Sequence, residues 1–297
     1  MKMKEKKNMS RREALRRIFS TAGLIGVSPS LMSFHNLLTG LHGESALPPD
    51  RFFINRIREA LTGAGKPPVA PALLNRRSYD VYSLMNTGNP LLKGSICMNI
   101  NNDMLSVEVV RFGVSSDHYS QFTSIEQKIR PDTIRSPISW RYQSYLAKTA
   151  QGIPYGTPLT GIGEYDGAGR IIITENSVSR TCHTSLPVTT NRNLLLALER
   201  IDKDNLPFVL GIIDEYDLFV GERKIQPYGT AAIERDDKTV ELHAVVMTGQ
   251  GVLPTFYWSD DTGIPLFVNS GTEVYILSNP ATCCFRPNVS VVGSPLP

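Results

Sequence analysis

From about Tyr79 onward, apolar and polar residues alternate in short runs bounded by turn residues. In the clearest unit Ile96, Met98 and Ile100 alternate with Ser95, Cys97 and Asn99. Asn101-Asn102-Asp103 turns the chain, and Leu105, Val107 and Val109 alternate with Ser106 and Glu108. Period-two runs on either side of an Asn/Asp cluster predict a hairpin with one face buried. Ile138 to Tyr145 predicts another strand, and a further pair flanks Asp166-Gly167-Ala168-Gly169, with Ile171 and Ile173 after the turn. Later strands are predicted over Phe208–Ile213, Leu218–Val220, Lys224–Ile233, Val240–Met247, Phe256–Trp258, Pro265–Val268 and Glu273–Leu277.

One segment breaks this rhythm. Asn191 to Ile201 carries Leu194, Leu195, Leu196, Ala197, Leu198 and Ile201 behind Thr189 and Thr190. Apolar residues at helical spacing after a capping threonine predict one buried helix of about three turns. The predicted fold class is mainly β: a single curved antiparallel sheet, or open half-barrel, packed on one helix, with an N-terminal signal or anchor helix. The expected organisation is a signal or anchor over 1–46, a short helix and Pro-rich linker over 47–76, the β domain over 77–279 and a tail over 280–297.

The charge distribution changes the picture at the N-terminus. The chain has 31 Lys and Arg against 28 Asp and Glu. Eight of those cations and only two of the anions fall in residues 1–17, so the remainder is mildly acidic. That argues against nucleic-acid binding. No charged residue follows Arg17 until Glu44. A basic stretch before an apolar one is the pattern of a secretory signal. The run Ser10-Arg11-Arg12-Glu13-Ala14-Leu15-Arg16 resembles a twin-arginine export signal, with Ala14 and Arg16 as departures from the usual pattern. The resemblance implies the twin-arginine export machinery as a partner and a periplasmic location. The domain is then either soluble or held at the inner membrane by an uncleaved segment, since the uncharged run is long enough to span a bilayer.

The C-terminal third reads Thr248-Gly249-Gln250-Gly251-Val252-Leu253-Pro254, then Tyr257-Trp258, Asp261, Gly263 and Tyr275-Ile276-Leu277. It resembles a family of exported bacterial β-domains of unknown function that carry a TGxGxLPxxYW segment. The resemblance implies a curved sheet wrapping a helix, similar in shape to the half-barrels of periplasmic lipoprotein carriers. Tyr257 and Trp258 alternate faces, so at most one enters the concavity.

Candidate chemistry is sparse. Neither Cys182-His183 nor His243 has metal-ligand spacing around it, and no cofactor is expected. Thr160-Gly161-Ile162-Gly163-Glu164 lacks the helix and Lys-Ser/Thr of a phosphate loop. Asp214, Glu215, Asp217 and Glu222 could pair as catalytic carboxylates, but a predicted turn is where solvated carboxylates belong anyway. The vicinal Cys283 and Cys284 suggest a bond from one of them to Cys97 or Cys182 in an oxidising compartment, with free buried thiols as the alternative. The expectation is therefore a non-enzymatic exported domain binding an apolar ligand such as a lipid, with Trp140, Tyr142, Tyr257 and Trp258 as candidate pocket residues. One alternative is an accessory or structural subunit of a membrane-bound complex, with other subunits as partners. Another is a hydrolase with an unrecognised site.

Overall fold

The computed structural model describes residues 75–83, 91–113, 119–148, 154–201, 205–235, 238–250 and 252–278. The export segment with Arg11 and Arg12, the helix and linker before residue 75, and the tail with Cys283 and Cys284 lie outside the described residues.

One sheet of 15 strands carries the fold. In chain order the strands are β1 (Arg76–Ser83), β2 (Leu91–Asn101), β3 (Met104–Arg111), β4 (Tyr119–Ile129) and β5 (Pro137–Lys148). Next come β6 (Pro154–Tyr165), β7 (Arg170–Glu175), β8 (Val178–His183), β9 (Val188–Thr190) and β10 (Phe208–Asp214). Last are β11 (Leu218–Arg235), β12 (Lys238–Thr248), β13 (Thr255–Ser259), β14 (Pro265–Ser270) and β15 (Glu273–Ser278). The spatial order runs from β8 back to β1, then β15 back to β9. Two meanders thus meet where β1 pairs with β15, and among the described residues only β9–β10 is parallel.

The sheet is strongly curled. In the strand order β5 and β10 stand ten steps apart. A flat sheet would separate them by roughly 48 Å at the usual strand spacing. Yet the Trp140 indole N–H on β5 donates to the carbonyl of Tyr216, in the turn after β10, at 2.9 Å. The inner face closes around the helix α1 (Asn191–Ala197), whose Leu194, Leu195 and Leu196 join one core with Tyr79, Ile96, Met98 and Trp140. A second cluster, containing Trp258, Phe267, Ile276 and Leu242, includes the residue that alternates with inward-facing Tyr257 and so belongs to the opposite face.

Local chemistry explains most elements. Asn102 takes a positive φ in the β2–β3 turn, as the Asn/Asp cluster suggests. The Asp166 carboxylate accepts from the backbone N–H groups of Ala168, Gly169 and Arg170, which fastens the β6–β7 turn. Thr190 caps α1 by accepting from the Asn193 N–H at 3.0 Å. The α-helical part ends at Ala197 and continues as a 3-10 turn, Leu198–Arg200, so it is shorter than the three-turn helix predicted. The Arg77 guanidinium takes the Leu195 carbonyl at 2.9 Å, satisfying one of the orphan acceptors at this end. The two strands predicted over Leu218–Val220 and Lys224–Ile233 are one long β11: Gly221 at φ 73 and a bulge near Pro227 bend it without ending it. The sequence pattern does not predict β4, because Gln121, Thr123 and Ser124 dilute its apolar alternation.

Candidate functional site

The predicted pocket residues divide between two faces and a packed interior. Trp140 is 0% exposed and fills the core rather than lining an open concavity. Tyr142 is also buried, with its ring over Gly161. A Cβ at Gly163 would lie 2.0 Å from the Trp140 ring, and one at Gly161 would lie 2.2 Å from Tyr142. The Gly-rich piece of β6 therefore exists to let two rings from β5 lie against its backbone. Tyr257 lines a cavity beside α1, and Trp258 packs in the other cluster. The structure does not bring the four aromatics together.

The cavity has a volume of about 300 Å³. Leu195 of α1 and Ile212, Val220, Met247, Tyr257 and Val268 of the facing strands form its apolar wall. Val252 and Leu253, from the loop before β13, stand at its edge. In the remaining wall Arg192, Asp214 and the buried Arg223 are charged, with Asn191, Thr255, Ser270 and Tyr275 beside them, and further charges lie behind it. Arg192 of α1 has a side chain only 2% exposed and meets Glu215 at 2.7 Å. Its guanidinium also lies over the Tyr275 ring, 5.5 Å from the centroid, within cation–π range. Arg111 bridges Glu215 at 3.7 Å and Glu273 at 3.4 Å. Asn191 donates to Asp214 at 2.8 Å.

This cluster is the part of the site that sequence reasoning undervalued. Asp214 and Glu215 do sit at a turn, but they are held rather than simply solvated. Glu215 and Tyr216 both adopt positive φ, and the Asp217 N–H closes the turn on the Asp214 carbonyl. That conformation carries the Glu215 carboxylate to Arg192 while the Tyr216 ring is buried. Two non-glycine residues in this region cost about 1–3 kcal/mol each. The missed signal was Arg192 itself, a cation in an otherwise apolar helix, which needs a counter-ion when buried.

Burial, then the neighbouring Glu215, raises the Asp214 pKa, while Arg192 opposes the shift. Burial opposes the charge of Arg192, but Glu215 and Tyr275 more than offset it, so the guanidinium is held protonated. Burial also raises Tyr257 and Tyr275 above the usual phenol value. Both phenols therefore stay neutral at pH 7.

The raised Asp214 pKa has a definite sign in stability. The folded state binds that proton more tightly than the unfolded chain. The associated stability is complete below the unfolded value near 3.8 and is lost as pH rises through the folded pKa. Asp214→Asn should therefore make the protein more stable than the parent at pH 7, with the difference shrinking as pH falls through the raised folded value and gone below the unfolded value near 3.8. Urea unfolding at several pH values tests this; an unchanged difference across the range would remove Asp214 as its source.

His243 on β12 lies 3.4 Å from Asp261, near the end of the sheet away from the cavity. His183 is on the exposed edge strand β8, beside the free thiol of Cys182. Among the described residues no three His, Cys, Asp or Glu side chains gather as a metal site.

No family model matches the chain, and no curated protein matches it. Among solved structures it is similar to a beta-barrel-like protein of the domain of unknown function DUF1849 from Brucella abortus. The identity is 10% and the TM-score 0.45, over 68% of this chain and 94% of that one. The architecture described above stands on the strand pairing itself and not on this likeness.

Proposed function

We propose that this chain is an exported, non-enzymatic β domain that holds one apolar, lipid-like ligand in the cavity beside α1. The observation that carries the proposal is that cavity, with aliphatic residues on its wall and a paired Arg192 beside them. Ligand pockets commonly run from roughly 300 to 1,000 Å³. A volume at the lower limit suits one alkyl chain rather than two.

Calorimetric titration with laurate tests the reading. A saturable one-site isotherm with a negative heat-capacity change is expected. Val220→Trp, which fills the cavity, should weaken binding by about tenfold or more while the thermal transition is retained. No saturable heat, or an unchanged affinity in a folded Val220→Trp variant, would remove the proposal. Met247→Phe provides a second, milder filling variant should the first fail to fold.

Export to an oxidising compartment also bears on the cysteines. We propose a bond between Cys97 and one of Cys283 and Cys284. Ser278, Ser78 and Cys97 stand in one row across β15, β1 and β2. The Ser78 hydroxyl lies 3.5 Å from the Cys97 sulfur. Two strand spacings, roughly 10 Å, separate the end of β15 from Cys97. The chain from Ser278 to Cys283 spans up to roughly 17 Å when extended. Cys182 is a free thiol on β8, at the far edge of the sheet. The bond forms by exchange with an oxidised protein dithiol, which leaves with both electrons and both protons as two thiols. Non-reducing peptide mapping of the exported protein should link the Cys97 peptide to the tail and leave Cys182 open to alkylation. A Cys97–Cys182 link, a Cys283–Cys284 link, or four alkylated thiols would each contradict it.

A further inference from the structure

The wall of the cavity beside α1 holds a second buried arginine, and its charge is not met in the way that of Arg192 is. Arg223 of β11 is 6% exposed. Its guanidinium donates to the carbonyl of its own neighbour, Glu222, at 2.8 Å, and among the described residues it makes no other hydrogen bond and no ion pair. The carboxylates nearby are engaged elsewhere. Glu215 takes Arg192 and Arg111, Glu273 takes Arg111, and Asp214 accepts from Asn191. A guanidinium withdrawn from water without an anion is costly. The chain nevertheless makes room for it. A Cβ at Gly249 would lie 2.5 Å from the Arg223 Nη1, so the glycine of Thr248-Gly249-Gln250-Gly251 lets the backbone pass directly over the charge.

The register gives the cavity a polar side and an apolar side. Val245, Tyr257, Val268 and Tyr275 form one row across β12 to β15. Met247, Thr255 and Ser270 form the next row towards the loop that carries Val252 and Leu253. Ile225 pairs with Met247, which puts Arg223 one row further in the same direction. We infer that the ligand of this cavity is a single-chain fatty acid, its carboxylate held by Arg223 and its alkyl chain lying over Tyr257 and Val268. The inference rests on the proposed ligand reading and narrows its ligand class. The planar fork of a guanidinium matches a carboxylate, whereas a neutral head would leave the buried charge unmet. One unpaired cation calls for one negative charge, and a phosphate monoester brings nearly two at pH 7. Asp214 stands on the same wall, but burial and then Glu215 raise its pKa, so it opposes an arriving anion less than an ordinary carboxylate would.

Calorimetric titration of the full chain with three probes of one chain length tests this: laurate, dodecanol and dodecyl phosphate. Laurate should bind about tenfold or more tightly than dodecanol, the scale of a charge-assisted hydrogen bond. Arg223→Gln should abolish that preference and leave the dodecanol affinity within about twofold of the parent. Arg223→Lys, which keeps the charge and loses the fork, should retain only part of the preference, and it carries the test should the glutamine variant fail to fold. Dodecanol binding as tightly as laurate, dodecyl phosphate binding more tightly than laurate, or a laurate preference unchanged in the folded Arg223 variants would each overturn the carboxylate assignment. In those cases weakening of the bound probe by Val220→Trp shows that the cavity reading itself stands. No saturable heat from any of the three probes removes both.

Discussion

Trp140→Ala should destabilise the domain by about 4 kcal/mol, since truncating a buried Trp or Phe typically costs roughly 3–5 kcal/mol. Trp140 is 0% exposed and among the largest fully buried side chains. It also performs a closing role that its size alone does not describe. Its indole N–H holds the Tyr216 carbonyl, joining the first meander to the second across the interior of the curled sheet. The substitution leaves both a cavity and an unpaired carbonyl, and the two losses add in part. For a domain of this size the melting temperature should fall by roughly 10 °C or more. Trp140→Phe should lose less, because a ring still covers Gly163. A loss below about 1 kcal/mol for alanine would contradict the packing described, because that is less than the ordinary cost of emptying such a site.

Arg77→Met should produce the next largest loss, about 3 kcal/mol, from a charge-assisted hydrogen bond and a nearly buried ion pair. Arg77, on β1, donates to the Leu195 carbonyl at 2.9 Å and pairs with Glu199. It fastens the C-terminal end of α1 to the centre of the sheet. The neighbourhood also holds Arg135, whose pKa is lowered by burial and then by the positive charge of Arg200. Removing Arg77 relieves part of that repulsion, so the net loss stays below the sum of its contacts. Denaturant midpoints measure the loss, and hydrogen exchange locates it. Faster exchange should appear first in α1 and the following 3-10 turn, with β2–β4 unchanged. Uniform loss of protection would mean that Arg77 is not a local clamp.

Much of the fold was legible because the sheet is built from hairpins. Alternation of Ile96, Met98 and Ile100 with polar neighbours marked β2, and Asp166-Gly167 marked a turn that the structure closes with three backbone N–H groups donating to the Asp166 carboxylate. The helix was legible from Leu194, Leu195 and Leu196, though the two-residue spacing of a β chain gave no hint of its buried Arg192. What could not be read was long-range. No local pattern says that β1 lies beside β15, because their pairing joins Ser78 to Ser278 across nearly the whole domain. Nor could composition separate Trp140 as a core ring from Trp140 as a pocket wall. That depends on Gly161 and Gly163 of the neighbouring strand β6, and on a carbonyl in a distant turn. The candidate site suffered most, since Arg192, Asp214 and Glu215 become one cluster only after α1 packs under β10.

The junction of β1 with β15 gives the order of synthesis a structural meaning. The first and last strands of the described domain are neighbours near the middle of the sheet, while its two free edges, β8 and β9, come from the middle of the chain. Each meander can assemble from adjacent hairpins as it emerges, but neither can join the other until Glu273–Ser278 has been made. A ribosome that stalls a few residues early therefore leaves two unsealed halves with apolar flanks, instead of a sheet lacking one dispensable edge. Conversely, the chain between β8 and β9 is where a nick would separate strands already lying at the free edges, leaving the central seam intact.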